Sequence, residues 1–249
     1  MKRQSWYILM SLSIVILLVT SLSYMAFSAA MRVETQGRYS GVQNSVSAQL
    51  GGTLGRIEMS ANNVFNEVEK RLSTPEAAIN ALESESDLNP DVRGYFAAFV
   101  PNFFPEKGTW FEPYVHHNDT SGYTVSQVGS ARHDYTKSPW FIRARNIKMA
   151  FWSDPYFYYD GTNISGHCCT YVKPLYTLDG ELACVCGADI TFEWLSKELL
   201  NIDDRSRNAK QVNIYRLKRN FDFYSVVFDK DGTCLVHPQD KNVVITDEV

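Results

Sequence analysis

Two short clusters hold the residues with the widest chemical reach. His167-Cys168-Cys169 and Cys184-Val185-Cys186 offer three or four soft donors, a set that could surround a zinc ion if the chain brought them together. Between them lies Thr177-Leu178-Asp179-Gly180, and Asp-Gly between two apolar runs is a strong hairpin signal. A register set by that turn puts Cys184 opposite Leu175 and Cys186 opposite Lys173, so the clusters miss each other. Neighbouring cysteines in a strand also face opposite ways. The expectation is no metal site and cysteines used for packing, with a disulfide as the alternative; an odd total of five leaves at least one thiol unpaired within the chain. No nucleophile elbow, phosphate loop or zincin spacing occurs, so neither a catalytic residue nor a cofactor is expected.

The other concentration of chemistry is aromatic. Residues 95–159 hold 18 of the 33 aromatic residues, and many of them must be core, because aromatic rings dominate packing. Tyr114, Tyr135, Trp140, Trp152, Tyr156, Tyr158 and Tyr159 carry polar handles, and such groups line small-molecule pockets as well as cores. Asp189-Ile190-Thr191 precedes a periodic segment from Phe192 to Leu200, so Asp189 or Thr191 could cap a helix there. Asp154, before Pro155, fits a turn initiator.

The elements that must position these groups follow from hydrophobic period. From Gln4 to Met31 there is no charge, and Trp6 to Ala30 has 19 apolar positions in 25. At about 1.5 Å per residue this run exceeds the ~30 Å hydrocarbon core of a bilayer. It is also longer than the ~7 to 15 apolar residues of a signal peptide, so an uncleaved anchor is expected. Lys2 and Arg3 before it put the N-terminus in the cytoplasm and the rest outside. Residues 31–88 read as helix: Val42, Val46, Leu50, Leu54, Ile57, Ala61, Val64, Val68 and Leu72 form one stripe, weakened by Gly51, Gly52 and Gly55. Ser73-Thr74-Pro75-Glu76 starts a second short helix to Leu88, with Thr74 as N-cap. Beyond Pro90 come strands at 95–100, 110–115, 123–128, 170–176 and 181–190, then the helix from Phe192. This order describes an α+β domain around an antiparallel sheet.

With 45% apolar and 21% charged residues the chain can bury a core, and a net charge of -4 offers no footprint for nucleic acid. The run Phe99–Tyr114, Asp134-Tyr135 before Pro139-Trp140-Phe141, Trp152–Phe157, the hairpin, and Gly187-Ala188-Asp189-Ile190 together resemble the double Cache (PAS-like) extracytoplasmic sensor domains of bacterial transmembrane receptors. The resemblance spans roughly residues 31–200; Ser225–Thr233 and His237-Pro238 are similar to the opening strands of that family's membrane-proximal lobe. It implies a cytoplasmic N-terminus at 1–5, a transmembrane anchor at 6–30, a stalk at 31–88, a distal PAS-like lobe at 89–205 and the start of an incomplete second lobe at 211–249. The chain then reads as a fragment or truncated product of a longer receptor in the inner membrane, dimeric through its stalk helix. The output expected is a histidine kinase of a two-component system; a serine phosphatase, a chemoreceptor, a cyclic-dinucleotide synthase, or a ligand-free anchored dimerisation protein are the alternatives.

The same resemblance implies a ligand pocket in the distal lobe. Trp140, Tyr156 and Asp189 match the amino-acid-binding members, whereas Ser138 stands at the Arg position, Phe141 and His133 at two Tyr positions, and Tyr158 at a second Asp position. Tyr135 and Asp154 complete the candidate set. Without an Arg fork for a carboxylate, the implied ligand is a polar or cationic small molecule held by Asp189 among aromatics. Lys137 could add charge, though not planar geometry.

Overall fold

The computed structural model describes residues 2–85, 89–118, 122–159, 164–211, 224–228, 231–232 and 234–237. Contacts divide the chain into two units, Met1–Ala48 and Gln49–Val249. The first unit belongs to helix α1 (Lys2–Lys70). Its large apolar side chains, among them Leu9, Ile16, Leu17 and Leu22, are exposed, and by length and composition this part of α1 can cross a membrane.

In the second unit α1 runs on through Gly51, Gly52 and Gly55 without a break. The stripe beyond them supplies the packing that the glycines lack: Ile57, Ala61, Val64, Phe65 and Val68 are wholly buried. Helix α2 (Pro75–Glu85) begins where Thr74 accepts a hydrogen bond from the Ala77 amide at 3.2 Å, as a serine- or threonine-type N-cap does. The expected end of α2 at Leu88 lies outside the described residues.

The sheet contains β1 (Gly94–Phe99), β2 (Pro113–Asn118), β3 (Gly122–Gln127), β4 (Phe151–Trp152), β5 (Tyr156–Tyr159), β6 (Ile164–Tyr176) and β7 (Leu182–Thr191). All pairs are antiparallel, in the order β3-β2-β1-β7-β6-β4, with β5 also on β6. Strand β2 starts later than the apolar pattern suggests because Pro113 has no N–H for the β1 ladder. The register nevertheless continues upstream, where the Phe99 amide donates to the Phe111 carbonyl at 3.0 Å. The β6–β7 hairpin closes through Gly180 at φ +81°; Tyr176 pairs with Leu182, and beyond a bulge at Leu175/Tyr176 Leu175 pairs with Cys184 and Lys173 with Cys186, the pairs expected. All five cysteines are free thiols, and Cys168, Cys184 and Cys186 are buried. Burial pushes the Cys169 thiol up to about 11 and Cys168 and Cys186 higher still, so they are poor nucleophiles and ligands.

Strand alternation divides the interior in two. Tyr95, Ala97 and Phe99 of β1 and Cys184, Cys186, Ala188 and Ile190 of β7 pack with α1 and α2. Phe96, Ala98 and Val185 point the other way, against helix α3 (Pro139–Ile147), whose Trp140, Phe141 and Ala144 complete a second cluster. Helix α4 (Phe192–Gln211) follows β7, and a two-stranded ribbon, β8 (Val227–Phe228) and β9 (Cys234–Val236), follows α4. Buried Asp203 of α4 holds the start of that ribbon: its carboxylate accepts from the Ser225 amide at 2.6 Å and hydroxyl at 2.7 Å.

Candidate functional site

Strand β7 carries Gly187 and Asp189 on the α3 face, with Thr170 of β6 paired beside Asp189. Gly187 is required by close packing: a Cβ there would overlap the ring of Phe96 and reach within 2.7 Å of Thr170 Cγ2. Phe96 in turn lies against Trp140, ring centroids 5.1 Å apart. These contacts leave a cavity of about 70 Å³ between the sheet and the start of α3.

Asp189 lies in this cavity's wall with 3% of its surface exposed. Thr170 Oγ1 donates to its Oδ1 at 2.5 Å and the Tyr156 hydroxyl donates to the same oxygen at 3.3 Å; Tyr156 and Thr170 are themselves 2.5 Å apart. Burial lifts the Asp189 carboxyl from 3.8 to about 6, although hydrogen bonds from Thr170, Tyr156 and Tyr114 draw it down. The helix cap is made by the other candidate: Thr191 Oγ1 accepts from the Trp194 amide at 3.2 Å. Asp189 therefore does not cap α4.

Trp140, Tyr156, His133 and Ser138 join Asp189 in the lining. Ser138 occupies the N-cap position of α3, yet its side chain makes no capping bond. Burial holds the His133 imidazole below its usual range, which favours the neutral form. Three other candidates stand apart from the cavity. Tyr135 is wholly buried beside it, donating its hydroxyl to the Phe99 carbonyl at 2.6 Å. Phe141 is a core residue packed on Tyr135 at 5.5 Å. Asp154 is exposed, before β5. Lys137 is also turned away, its Nζ 2.9 Å from Asp134, and the side chain of Tyr158 lies outside the described residues.

Tyr114, one of the tyrosines expected in pocket or core, lines the cavity too, and Phe96, Val128, Phe157 and Glu112 line it without having been anticipated. Glu112 is the consequential one. It is buried, its Oε2 has no hydrogen-bond partner among the described residues, and burial together with the Asp189 charge raises its carboxyl well above the usual range. The cavity thus holds two buried carboxyl groups among aromatic rings, and no Lys or Arg among its described lining residues. A separate open groove of about 680 Å³ runs along Lys107–Phe111 and β3; its one charged lining residue among the described residues, Lys107, pairs with Glu76 at 3.0 Å.

Residues 79–197, which contain this sheet and cavity, match the family model of the methyl-accepting chemotaxis protein-like first PDC sensor domain. The matched stretch, just under half of the chain, is similar to Cache-type PDC sensor domains. Solved structures share its fold. Methyl-accepting chemotaxis protein X is 17% identical with a TM-score of 0.56, over 69% of this chain and 68% of that one. The extracellular domain of a proposed histidine kinase, mmHK1S-Z3, is 21% identical with a TM-score of 0.56, over 79% and 70%. The periplasmic sensory domain of the Campylobacter jejuni chemoreceptor Tlp1 is 14% identical with a TM-score of 0.56, over 81% and 71%. No curated protein sequence matches significantly. The match at residues 79–197 and the apolar start of α1 fit an extracytoplasmic sensing module of a membrane receptor.

Proposed function

We propose that this module binds a small cationic or hydroxylated molecule in the Asp189 cavity and passes the event to a histidine kinase output. The carrying observation is Asp189 itself, a buried carboxylate held by Thr170 and Tyr156 in a cavity otherwise lined largely by aromatic rings. Aromatic faces attract cations, and the carboxylate adds a charge-assisted hydrogen bond. No guanidinium lies among the cavity's described lining residues, which disfavours α-amino acids. A chemoreceptor output is the second reading, supported by the family description matched at residues 79–197.

Lys2 and Arg3 support a cytoplasmic N-terminus and an inner-membrane anchor, with the sensor facing the periplasm. The α1 stripe from Ile57 to Val68 is used in the domain's own core, so it does not by itself argue for the homodimer expected through the stalk, while the ribbon after α4 supports a second lobe beginning there. Calorimetry on the full chain in lipid nanodiscs, titrated with small amines, polyols and amino acids, tests the ligand class. Amines or polyols should bind, and amino acids should bind more weakly than amines of the same size. Amino acids binding most tightly would contradict the proposal.

A further inference from the structure

Glu112 is fixed by partners distant in sequence. Its carbonyl accepts from the Val128 amide at 3.0 Å, and its amide donates to Gln127 Oε1 at 3.3 Å. Gln127 is itself clamped, with Nε2 donating to the Trp110 and Gly129 carbonyls at 2.5 and 2.8 Å. This bracket holds the Glu112 side chain in the cavity wall, where 4% of it is exposed. The nearest ionisable nitrogen, His133 Nε2, is 3.9 Å from Oε2, beyond hydrogen-bonding distance. A buried carboxyl oxygen with no donor is costly, and such groups in folded proteins ordinarily meet one.

Asp189 shares the same small space, so ionising both carboxyl groups in an empty cavity brings like charges together. The described lining contains no lysine or arginine to neutralise them. A monocation satisfies one carboxylate; two separated positive groups satisfy both. The cavity's volume of about 70 Å³ sets the size. At about 30 Å³ of liquid volume per water it holds about two waters, so only a short, narrow ligand is admitted and a longer one must widen the cavity or reach its mouth.

We propose that Glu112 is a second ligand-contacting carboxyl and that, together with Asp189, it selects a compact dication, a short-chain diamine whose methylenes lie on Phe96 and Trp140. The inference rests on this cavity being the ligand site. Calorimetry on the full chain in nanodiscs near neutral pH, comparing 1,3-diaminopropane with propylamine, tests it. The diamine should bind about 10- to 100-fold more tightly, the range of one additional charge-assisted hydrogen bond. Glu112→Gln should erase that advantage. If Glu112→Gln does not fold, Glu112→Asp, which keeps the charge but shortens its reach, should reduce the advantage. Equal affinities in the unmodified protein, or an advantage that survives Glu112→Gln, would show Glu112 to be a structural, protonated side chain and overturn the inference. Propylamine binding lost in Asp189→Asn, with no diamine advantage, overturns the Glu112 role alone. Binding of neither amine overturns the cationic reading of the site as well.

Discussion

Asp189 has a measurable acid–base consequence. Its carboxyl stands at about 6 in the folded protein against 3.8 ordinarily, so the native state holds the proton more tightly than the unfolded one. Between about pH 4 and 6 the folded protein binds more protons, and stability falls as pH rises through that window. The full difference is on the order of 3 kcal/mol. The melting temperature of the unliganded protein should therefore rise, relative to Asp189→Asn, as pH is lowered from 7.5 to 5. A constant gap between the two proteins across that range would mean that Asp189 is not buried as described. Cation affinity should move oppositely, weakening below about pH 6 as the carboxylate protonates. Gly187→Ala tests the packing that shapes the cavity: the added methyl strikes the Phe96 ring, and overpacking of this kind costs about 1–3 kcal/mol. A lowered melting temperature together with weakened ligand binding is expected; an unchanged protein would refute the close approach of β1 and β7. Asp189 and Trp140 were legible because their local motifs survive in the sequence. Glu112 was not, because what puts it in the cavity is Gln127, fifteen residues away and joined only through the β2–β3 pairing.

At the scale of elements, β6 connects the cavity to α1. Thr170 faces Asp189, while the next residue, Tyr171, faces the opposite side and accepts from Asn62 Nδ2 at 3.1 Å. Its strand partner Trp152 donates to Glu58 on the same helix at 2.7 Å. A ligand that shifts β6 is therefore felt at Glu58 and Asn62, and can bias the helix only to the extent that it binds two arrangements unequally. Ligand addition should slow amide hydrogen exchange across residues 57–68 in the unmodified protein, and less so in Glu58→Gln. Unchanged exchange in this segment would mean that the signal leaves the domain by another route. The pairs Leu175–Cys184 and Lys173–Cys186 agree with a count from Asp179-Gly180, but beside the turn Thr177 pairs toward Glu181 and Tyr176 with Leu182, and a bulge between Leu175 and Tyr176, which the sequence does not announce, restores the counted register. The start of β2 was not legible, because an apolar run does not reveal that Pro113 removes a ladder donor. Tyr135 and Phe141 show the same limit on α3 and the turn before it: the motif locates the segment, but packing decides which rings face the cavity.

At the scale of the molecule, an apolar helix leads into a sheet domain similar to Cache-type sensor domains. An engineered thiol at Leu178, fully exposed at the tip of the β6–β7 hairpin, should react with a membrane-impermeant reagent on intact cells, whereas one at Gln4 should not. The reverse pattern would invert the topology supported by Lys2 and Arg3. The central claim is that Asp189 binds the ligand and does not merely maintain the fold. Calorimetry with propylamine on the full chain in nanodiscs, alongside thermal melting without ligand, compares the unmodified protein with Asp189→Asn at pH 7.5. Asparagine keeps the side chain's shape and removes a buried charge, so the variant should melt at the same temperature or higher while affinity falls about 10- to 150-fold, the loss of one charge-assisted hydrogen bond. Undiminished affinity accompanied by a large drop in melting temperature would make Asp189 a structural residue and contradict the assignment of this cavity as the sensory site.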